Sequence, residues 1–450
     1  MTVTASLPKA PPSYPAAAER TIRIEGGAPL RGRVTVGGSK NLVLPALAAS
    51  LLSAEPCVFD NVPSIEDTRT MLRLLKALGA EVAPDPDGAG FFAALREHKR
   101  VTVHAREIAA TEVPLPLARA MRASFLVVAP LLARAGRAVA PTPGGDQIGS
   151  RPLDVALRGL EAMGARVEEH TGERVALSAD RLVGGDQIYL DYPSHTGTEA
   201  LLMAAALVPG GTTTIVNAAC EPEVIAFGNM LRRMGAGISG LGSPHVTVEG
   251  VSRLTGASET IIPDRLVAGT YAIGAVITGG ELTIQRVVAA DMLPVSHKLR
   301  EMGATVYVDT GRMFVRAERE LRAVDVQALP FPGFPTDQQA TFAALLTQAR
   351  GTSNLHERVY EDRLQYVREL NKMGAAIEVD RLGVRAVIEG PRRLQGAAVV
   401  AKDIRAAAAL VLAGLAAEGE TAIFDPGHLA RGYEDLVPQL ADLGARITEA

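Results

Sequence analysis

Apolar positions along this chain fall into two helical patterns that alternate and recur six times. The first is amphipathic and ends alike each time: LKALGAEV (75–82), LEAMGARV (160–167), LRRMGAGI (231–238), LREMGATV (299–306), LNKMGAAI (370–377) and LADLGARI (440–447). A leucine, an apolar residue three positions on and then Gly-Ala predict a helix whose last turn packs inward. Its chain reverses through a left-handed glycine cap, and a strand begins at the next Val or Ile. The capping glycines are Gly79, Gly164, Gly235, Gly303, Gly374 and Gly444. The second pattern is nearly apolar all round and covers Leu42–Leu52, Ser124–Leu132, Glu199–Val208, Gly269–Ile277, Gln338–Leu346 and Ala406–Ala416. Helices without a polar face are buried inside a domain. Strand-like runs follow them, as in TTTIVNA (212–218), ELTIQRV (281–287) and TAIFDP (421–426).

Six units of roughly 70 residues are too long for a solenoid, whose repeats usually span about 20–50 residues. The pattern predicts an α/β protein of two three-unit domains. Residues 40–262 form one, and 21–39 with 263–450 form the other, with crossings near Gly38 and Pro263 and the turn-rich GASETIIPDR (256–265) between them. Residues 1–20, rich in Pro and Ala, read as a disordered tail. The first glycine spacing exceeds the others by about 15 residues, and APTPGGDQIGSRP (140–152) is the loop expected to hold the excess as a mobile, functional segment.

Composition narrows the function. With 47% hydrophobic residues, 4% aromatics and no Trp, cores must be aliphatic and a base-stacking surface is not expected. A net charge of −4 argues against general affinity for nucleic acid or anionic membrane, so any anion must be held by local cations. Cys57 and Cys220 are too few for a disulfide framework and read as small buried residues in a reducing, cytoplasmic compartment. The longest uncharged stretch (200–220) is broken by Pro-Gly-Gly, so no membrane insertion is expected.

Polar residues gather where the apolar helices begin: Ser39-Lys40-Asn41, Arg122-Ala123-Ser124, Ser194 to Thr198, Gly269-Thr270, Pro335-Thr336-Asp337 and Asp403-Ile404-Arg405. Helix N-termini present free N–H groups and a positive dipole end, and so favour anions. Lys40, Arg122 and Arg405, placed equivalently in three repeats, strengthen that field. Asp337 at a helix start fits a cap as well as a proton-transfer group, and Asp146 in Gly-Gly-Asp fits an Asx turn equally. His195 reads as a local hydrogen-bonding residue. There is no H-E-x-x-H, G-x-S-x-G or Walker pattern, and no metal site is expected.

GGSKN (37–41), MRAS (121–124), GGDQIGSRPLDV (144–155), DYPSHTGTE (191–199), EPE (221–223), FPTDQQA (334–340), EDR (361–363), DIRA (403–406) and RGYE (431–434) resemble the UDP-N-acetylglucosamine 1-carboxyvinyltransferase (enolpyruvyl transferase) family, in order over residues 20–448. The resemblance implies two inverse α/β barrels of three βαβαββ units, with the active site in the cleft between them. It implies enolpyruvyl transfer from phosphoenolpyruvate to the 3-hydroxyl of UDP-N-acetylglucosamine with release of phosphate, without metal or organic cofactor. It further implies that Lys40 and Asn41 contact phosphoenolpyruvate, with Arg122, Arg151, Arg405 and Arg431 completing an anion cage. Arg151, Pro152, Leu153, Asp154 and Val155 would hold the uridine end, supported by Tyr192, Pro193, Ser194 and His195. Asp337 would take the sugar hydroxyl's proton, Val359 would line the sugar site, and Arg363 would lie near the reacting centre.

Three positions depart from the family's pattern. Asp146 stands where a cysteine usually serves as general acid and is alkylated by fosfomycin. His195-Thr196 replaces Val-Gly, and Cys220 replaces an Arg before EPE. Rival readings are enolpyruvyl transfer to shikimate 3-phosphate or another nucleotide, and a silent UDP-sugar-binding paralogue.

Overall fold

A computed structural model describes residues 21–149, 153–318, 320–424 and 427–449. The tail 1–20, together with Arg151 and Pro152, lies outside them. All six capping glycines have left-handed backbone, with φ between 88° and 116°. The six apolar helices are buried, as their lack of a polar face requires. They are Lys40–Ala49, Val128–Ala135, His195–Ala206, Arg265–Ile277, Thr336–Leu346 and Ile404–Ala416.

Each helix belongs to one small sheet, and five of the six sheets have four strands and one has three. In the fourth unit Arg31–Thr35 runs parallel to Glu281–Gln285, with Arg265–Ile277 between their units in the chain, and Thr305–Asp309 and Arg312–Arg316 complete the sheet. The sixth sheet takes in Thr21–Glu25 between Glu420–Phe424 and Arg446–Glu449. No ladder joins the six sheets into a hydrogen-bonded closed barrel among the described residues.

Two separate apolar cores result. One draws on residues 42–261 and the other on 22–36 with 268–447. The three inner helices of the second core pack on one another. Each fully buried Leu or Ile there contributes about 1.5–3 kcal/mol relative to exposure.

The chain passes between cores twice, and the two passages touch. Ser39 N–H donates to Ile262 O at 2.8 Å and Asp264 N–H to Gly37 O at 2.9 Å. A Cβ on Gly38 would stand 1.9 Å from Asn61 O, so only glycine fits.

Three expectations need correction. Residues 256–265 are not all turn, because Ser258–Thr260 pairs in parallel with Cys57–Asp60 and completes the first sheet. Most of the extra length in the first unit is not in 140–152. Sixteen residues separate the paired strands Glu81–Ala83 and Arg100–His104, against five in the hairpin of Gly237–Ser239 and His245–Glu249, and they hold an additional helix, Phe91–His98. That helix is short and amphipathic, so it does not stand out from the repeat. Finally, Cys57 is buried but Cys220 is only half-buried.

Candidate functional site

Between the two halves lies a cavity of about 450 Å³. Lys40, Asn41, Arg122, Asp146, Asp154, Val155, Tyr192, Pro193, Ser194, His195, Asp337, Val359, Arg363, Arg405 and Arg431 all line it. Leu153 does not; it packs against the first core. The helix starts Lys40, His195, Arg265, Thr336 and Ile404 bring residues from five units to this one place.

The fourth helix start was misplaced by periodicity. The helix begins at Arg265, not Gly269, and Asp264 caps it by accepting from Leu266 N–H at 2.8 Å and Val267 N–H at 3.0 Å. Pro263-Asp264 before an apolar run is the signal that marks this start. Arg265 forms a buried ion pair across the halves with Glu223 at 3.0 Å.

The cations are not isolated, because carboxylates answer them. Lys40 Nζ lies 2.7 Å from Asp67 Oδ2. Arg431 Nε donates to Asp67 Oδ1 at 3.0 Å, and its Nη1 donates to Asp146 Oδ1 at 2.6 Å. Burial pushes the Asp146 carboxyl up, but Arg431, Lys40 and His428 outweigh it and hold the group below the usual carboxylate range. Asp67 was missed by sequence reasoning, because an acid in the first turn of helix Glu66–Ala77 reads as an ordinary partner of the helix dipole.

The loop carrying Asp146 leans on both halves. A Cβ on Gly144 would stand 1.9 Å from Arg119 O, and one on Gly149 would stand 2.3 Å from the Glu361 carboxylate.

Asp337 stands at the start of its helix, clasped from two sides. Arg363 Nη2 donates to Oδ1 at 2.6 Å and Arg405 Nη2 to Oδ2 at 3.1 Å. Burial alone would raise its pKa, but the two guanidiniums hold it far below the usual range. Arg405 is positioned by Asp403, whose carboxylate accepts from Arg405 N–H at 2.8 Å, and by the Tyr433 ring, 5.4 Å from its guanidinium. Arg363 lies 5.4 Å from the Tyr360 ring. Glu357 accepts from Val359 N–H and from the Thr336 hydroxyl, both at 2.7 Å, and so fixes the wall beside Asp337.

On the opposite wall His195 is the first residue of its helix, with Ser194 as cap. Its Nε2 makes no hydrogen bond among the described residues; it is buried and lies 3.6 Å from Glu199 Oε1, itself buried and without a hydrogen-bond donor.

Chemically, this cavity offers carboxylates, among them Asp67, Asp146 and Asp337, paired with cations able to take phosphate or carboxylate oxygens, and helix N-termini around them. Among the described residues no group of three or more His, Cys, Asp or Glu is arranged to hold a metal, and no helix is long and apolar enough to cross a membrane.

Comparison with known proteins gives the family. The family described as EPSP synthase (3-phosphoshikimate 1-carboxyvinyltransferase) matches residues 24–440, which sets the class as carboxyvinyl transfer. The UDP-N-acetylglucosamine 1-carboxyvinyltransferase of Gloeobacter violaceus is 44% identical, covering 99% of this chain and 94% of its own. UDP-N-acetylglucosamine 1-carboxyvinyltransferase 2 of Carboxydothermus hydrogenoformans is 45% identical, covering 94% and 98%. Among solved structures, the enolpyruvyl transferase NikO from Streptomyces tendae superposes with a TM-score of 0.83 at 28% identity, over 96% of this chain and 99% of that one. EPSP synthase from Acinetobacter baumannii shares the fold at a TM-score of 0.72 and 18% identity, over 96% and 100%. The chain belongs to the UDP-N-acetylglucosamine 1-carboxyvinyltransferase family.

Proposed function

We propose that this protein transfers the enolpyruvyl group of phosphoenolpyruvate to the 3-hydroxyl of UDP-N-acetylglucosamine, releasing phosphate, as the first committed step of peptidoglycan synthesis. The observation that carries this reading is the pairing of Asp146 and Asp337 with separate sets of cations in one cavity. The family membership and the names of the relatives support the acceptor.

Asp146 gives a proton to the methylene carbon of phosphoenolpyruvate. The sugar hydroxyl adds to the neighbouring carbon while Asp337 takes its proton. The tetrahedral adduct then loses a proton from the new methyl group to the Asp146 carboxylate as the carbon–oxygen bond to phosphate breaks, and the departing phosphate carries off the proton held by Asp337. Lys40, Arg122 and Arg431 receive the phosphate, while Arg363 and Arg405 flank the reacting carbons. Leu153 to Val155 and Tyr192 to His195 hold the nucleotide.

Both carboxylates are ion-paired, and neither is a good acid or base while so paired. Phosphate and carboxylate oxygens of phosphoenolpyruvate compete for the same guanidiniums, which raises the proton affinity of Asp146 when the donor binds. A carboxylate kept protonated by its surroundings can then act as an acid near neutral pH.

Phosphate release is the test, with UDP-N-acetylglucosamine or shikimate 3-phosphate as acceptor. Release with the nucleotide sugar alone, reduced about 10²–10⁴-fold in Asp146→Asn, is expected. Release with shikimate 3-phosphate, or with neither, would remove the assignment. Asp146 has no thiol, so fosfomycin should neither inhibit nor add mass at residue 146, whereas Asp146→Cys should become labelled there.

A further inference from the structure

Around His195 the charges do not balance. Glu199 lies one turn along the same helix, Glu221 and Glu223 stand at the start of helix Pro222–Arg233, and Arg265 reaches in from the second half. Asp291 adds a further carboxylate facing Glu223 and Arg265. Arg265 is committed to Glu223, which is 1% exposed. Glu199, also 1% exposed, is left with His195 as its sole ion-pair partner among the described residues, and Glu199 Oε1 and Glu221 Oε2 have no hydrogen-bond donor.

Counting Glu199, Glu221 and Glu223 against Arg265 and an imidazolium at His195 still leaves one negative charge in excess, to which Asp291 adds a second when ionised. A buried excess charge is costly, and a bound proton removes it. Burial pushes the Glu199 carboxyl up, to about 7, with His195 opposing and Glu223 and Glu221 adding to the rise. For His195 burial acts downward, but Glu199, Glu221 and Glu223 outweigh it and the imidazolium is favoured. Two such groups titrate as a pair.

The His195 side chain is a quarter exposed, and the residue lines the cavity at a helix N-terminus. The acceptor has one anionic part, its diphosphate, while the donor's phosphate and carboxylate are matched by the Lys40, Arg405 and Arg431 side of the cavity.

We propose that His195, held as an imidazolium by Glu199 beneath it, is a specificity-determining cation for the acceptor's diphosphate, so that the acceptor binds together with a proton. This rests on the acceptor proposed above. Imidazolium next to two phosphates gains proton affinity, so binding near and above neutrality draws a proton from solution. Acceptor KM therefore rises as pH climbs through the titration of the pair.

The experiment is calorimetric titration of UDP-N-acetylglucosamine into the full chain without phosphoenolpyruvate. It is run at pH 7.5 in two buffers of different ionisation enthalpy, with acceptor KM and kcat then followed from pH 6 to 9. The diphosphate diester has no titration of its own in that range, so the proton count belongs to the protein. Wild type should take up a fraction of a proton.

In His195→Gln, Glu199 loses its cation and stays protonated past neutrality, so the uptake should vanish. Acceptor KM should rise about tenfold at pH 7, a larger change than in kcat, and its pH dependence should flatten. In Glu199→Gln, which removes a buried charge without changing shape, the rise in KM should move to lower pH. Binding with no proton uptake, or His195→Gln keeping the wild-type pH profile of KM, overturns this inference and leaves the acceptor standing. No binding of the nucleotide sugar by wild type overturns the acceptor, and this inference with it.

Discussion

Removing the charge of Asp337 tests the electrostatic reading of the cavity most directly. In Asp337→Asn the shape is kept, but two guanidiniums whose side chains are 4% and 6% exposed lose the carboxylate that they share. At an effective dielectric of about 20, each pair about 4 Å apart is worth about 4 kcal/mol before desolvation. Removing one partner from a buried ion pair costs about 3–5 kcal/mol. Asp337 itself is 24% exposed, which sets the expectation at the lower end, about 3 kcal/mol. For a domain of about 200 residues each kcal/mol moves the melting point about 2–4 °C, so a fall of about 6–12 °C is expected.

An added anion should restore part of the loss. Inorganic phosphate at about 100 times its Kd contributes about 2.7 kcal/mol, and the variant should gain more from it than wild type does. The pH dependence has a definite sign. The Asp337 pKa is depressed by folding, so its contribution is complete above the unfolded value near 3.9 and is lost as pH falls towards the folded value. The gap between wild type and variant should be constant from about pH 5 to 8 and shrink below about pH 4. Thermal unfolding followed by circular dichroism, with and without phosphate, measures all of this, and phosphate release from phosphoenolpyruvate measures the accompanying loss of turnover. An unchanged melting point with no additional response to phosphate would refute the claim that Asp337 is the counter-ion of Arg363 and Arg405.

Asp67→Asn should act likewise on Lys40 and Arg431, lowering stability by about 3 kcal/mol in urea unfolding and reducing turnover, because Lys40 loses its ion-pair partner and Arg431 keeps only Asp146. Gly38→Ala places a methyl group 1.9 Å from Asn61 O at the crossing between the cores, and should cost about 1–3 kcal/mol in the same assay. Arg96→Ala removes the ion pair with Asp435 that joins the additional helix to the second half; with the arginine half-exposed, the loss should stay below about 1 kcal/mol and disappear in high salt.

Much of the fold is legible in the sequence because the repeat states one local rule six times. A glycine after an inward-packing turn needs φ > 0, and an apolar helix needs a domain interior, so both follow from single positions. What periodicity misses lies where the rule is interrupted. Helix Phe91–His98 is two turns of ordinary amphipathic sequence inside a hairpin, and nothing in its composition separates it from the helices of the repeat. The helix at Arg265 begins one turn before its uniform apolar run, because Val267 and Leu266 already pack while Arg265 is buried only by virtue of Glu223, forty-two residues away.

The cavity shows the same division. Lys40, Arg122 and Arg405 are visible because equivalent repeats place them at equivalent helix starts, and so is Asp337, whereas the other counter-ions follow no repeat. Asp67 comes from an outer helix, Asp146 from a loop after a strand, and Glu199 from the middle of an apolar helix. Asp67, Asp146 and Asp337 answer a local need of the folded chain, since Lys40, Arg363, Arg405 and Arg431 brought together without anions would repel one another across a low-dielectric cleft, while Glu199 answers His195. Two of these carboxylates, Asp146 and Asp337, are also those proposed to move protons. On the proposed reaction, substrate binding is an exchange of partners: phosphate and carboxylate oxygens would take over the guanidiniums, and Asp146 and Asp337 would gain proton affinity only in the complex that uses it. The depressed pKa values of the two aspartates are therefore compatible with their proposed roles, because they describe the partners that an anionic substrate displaces.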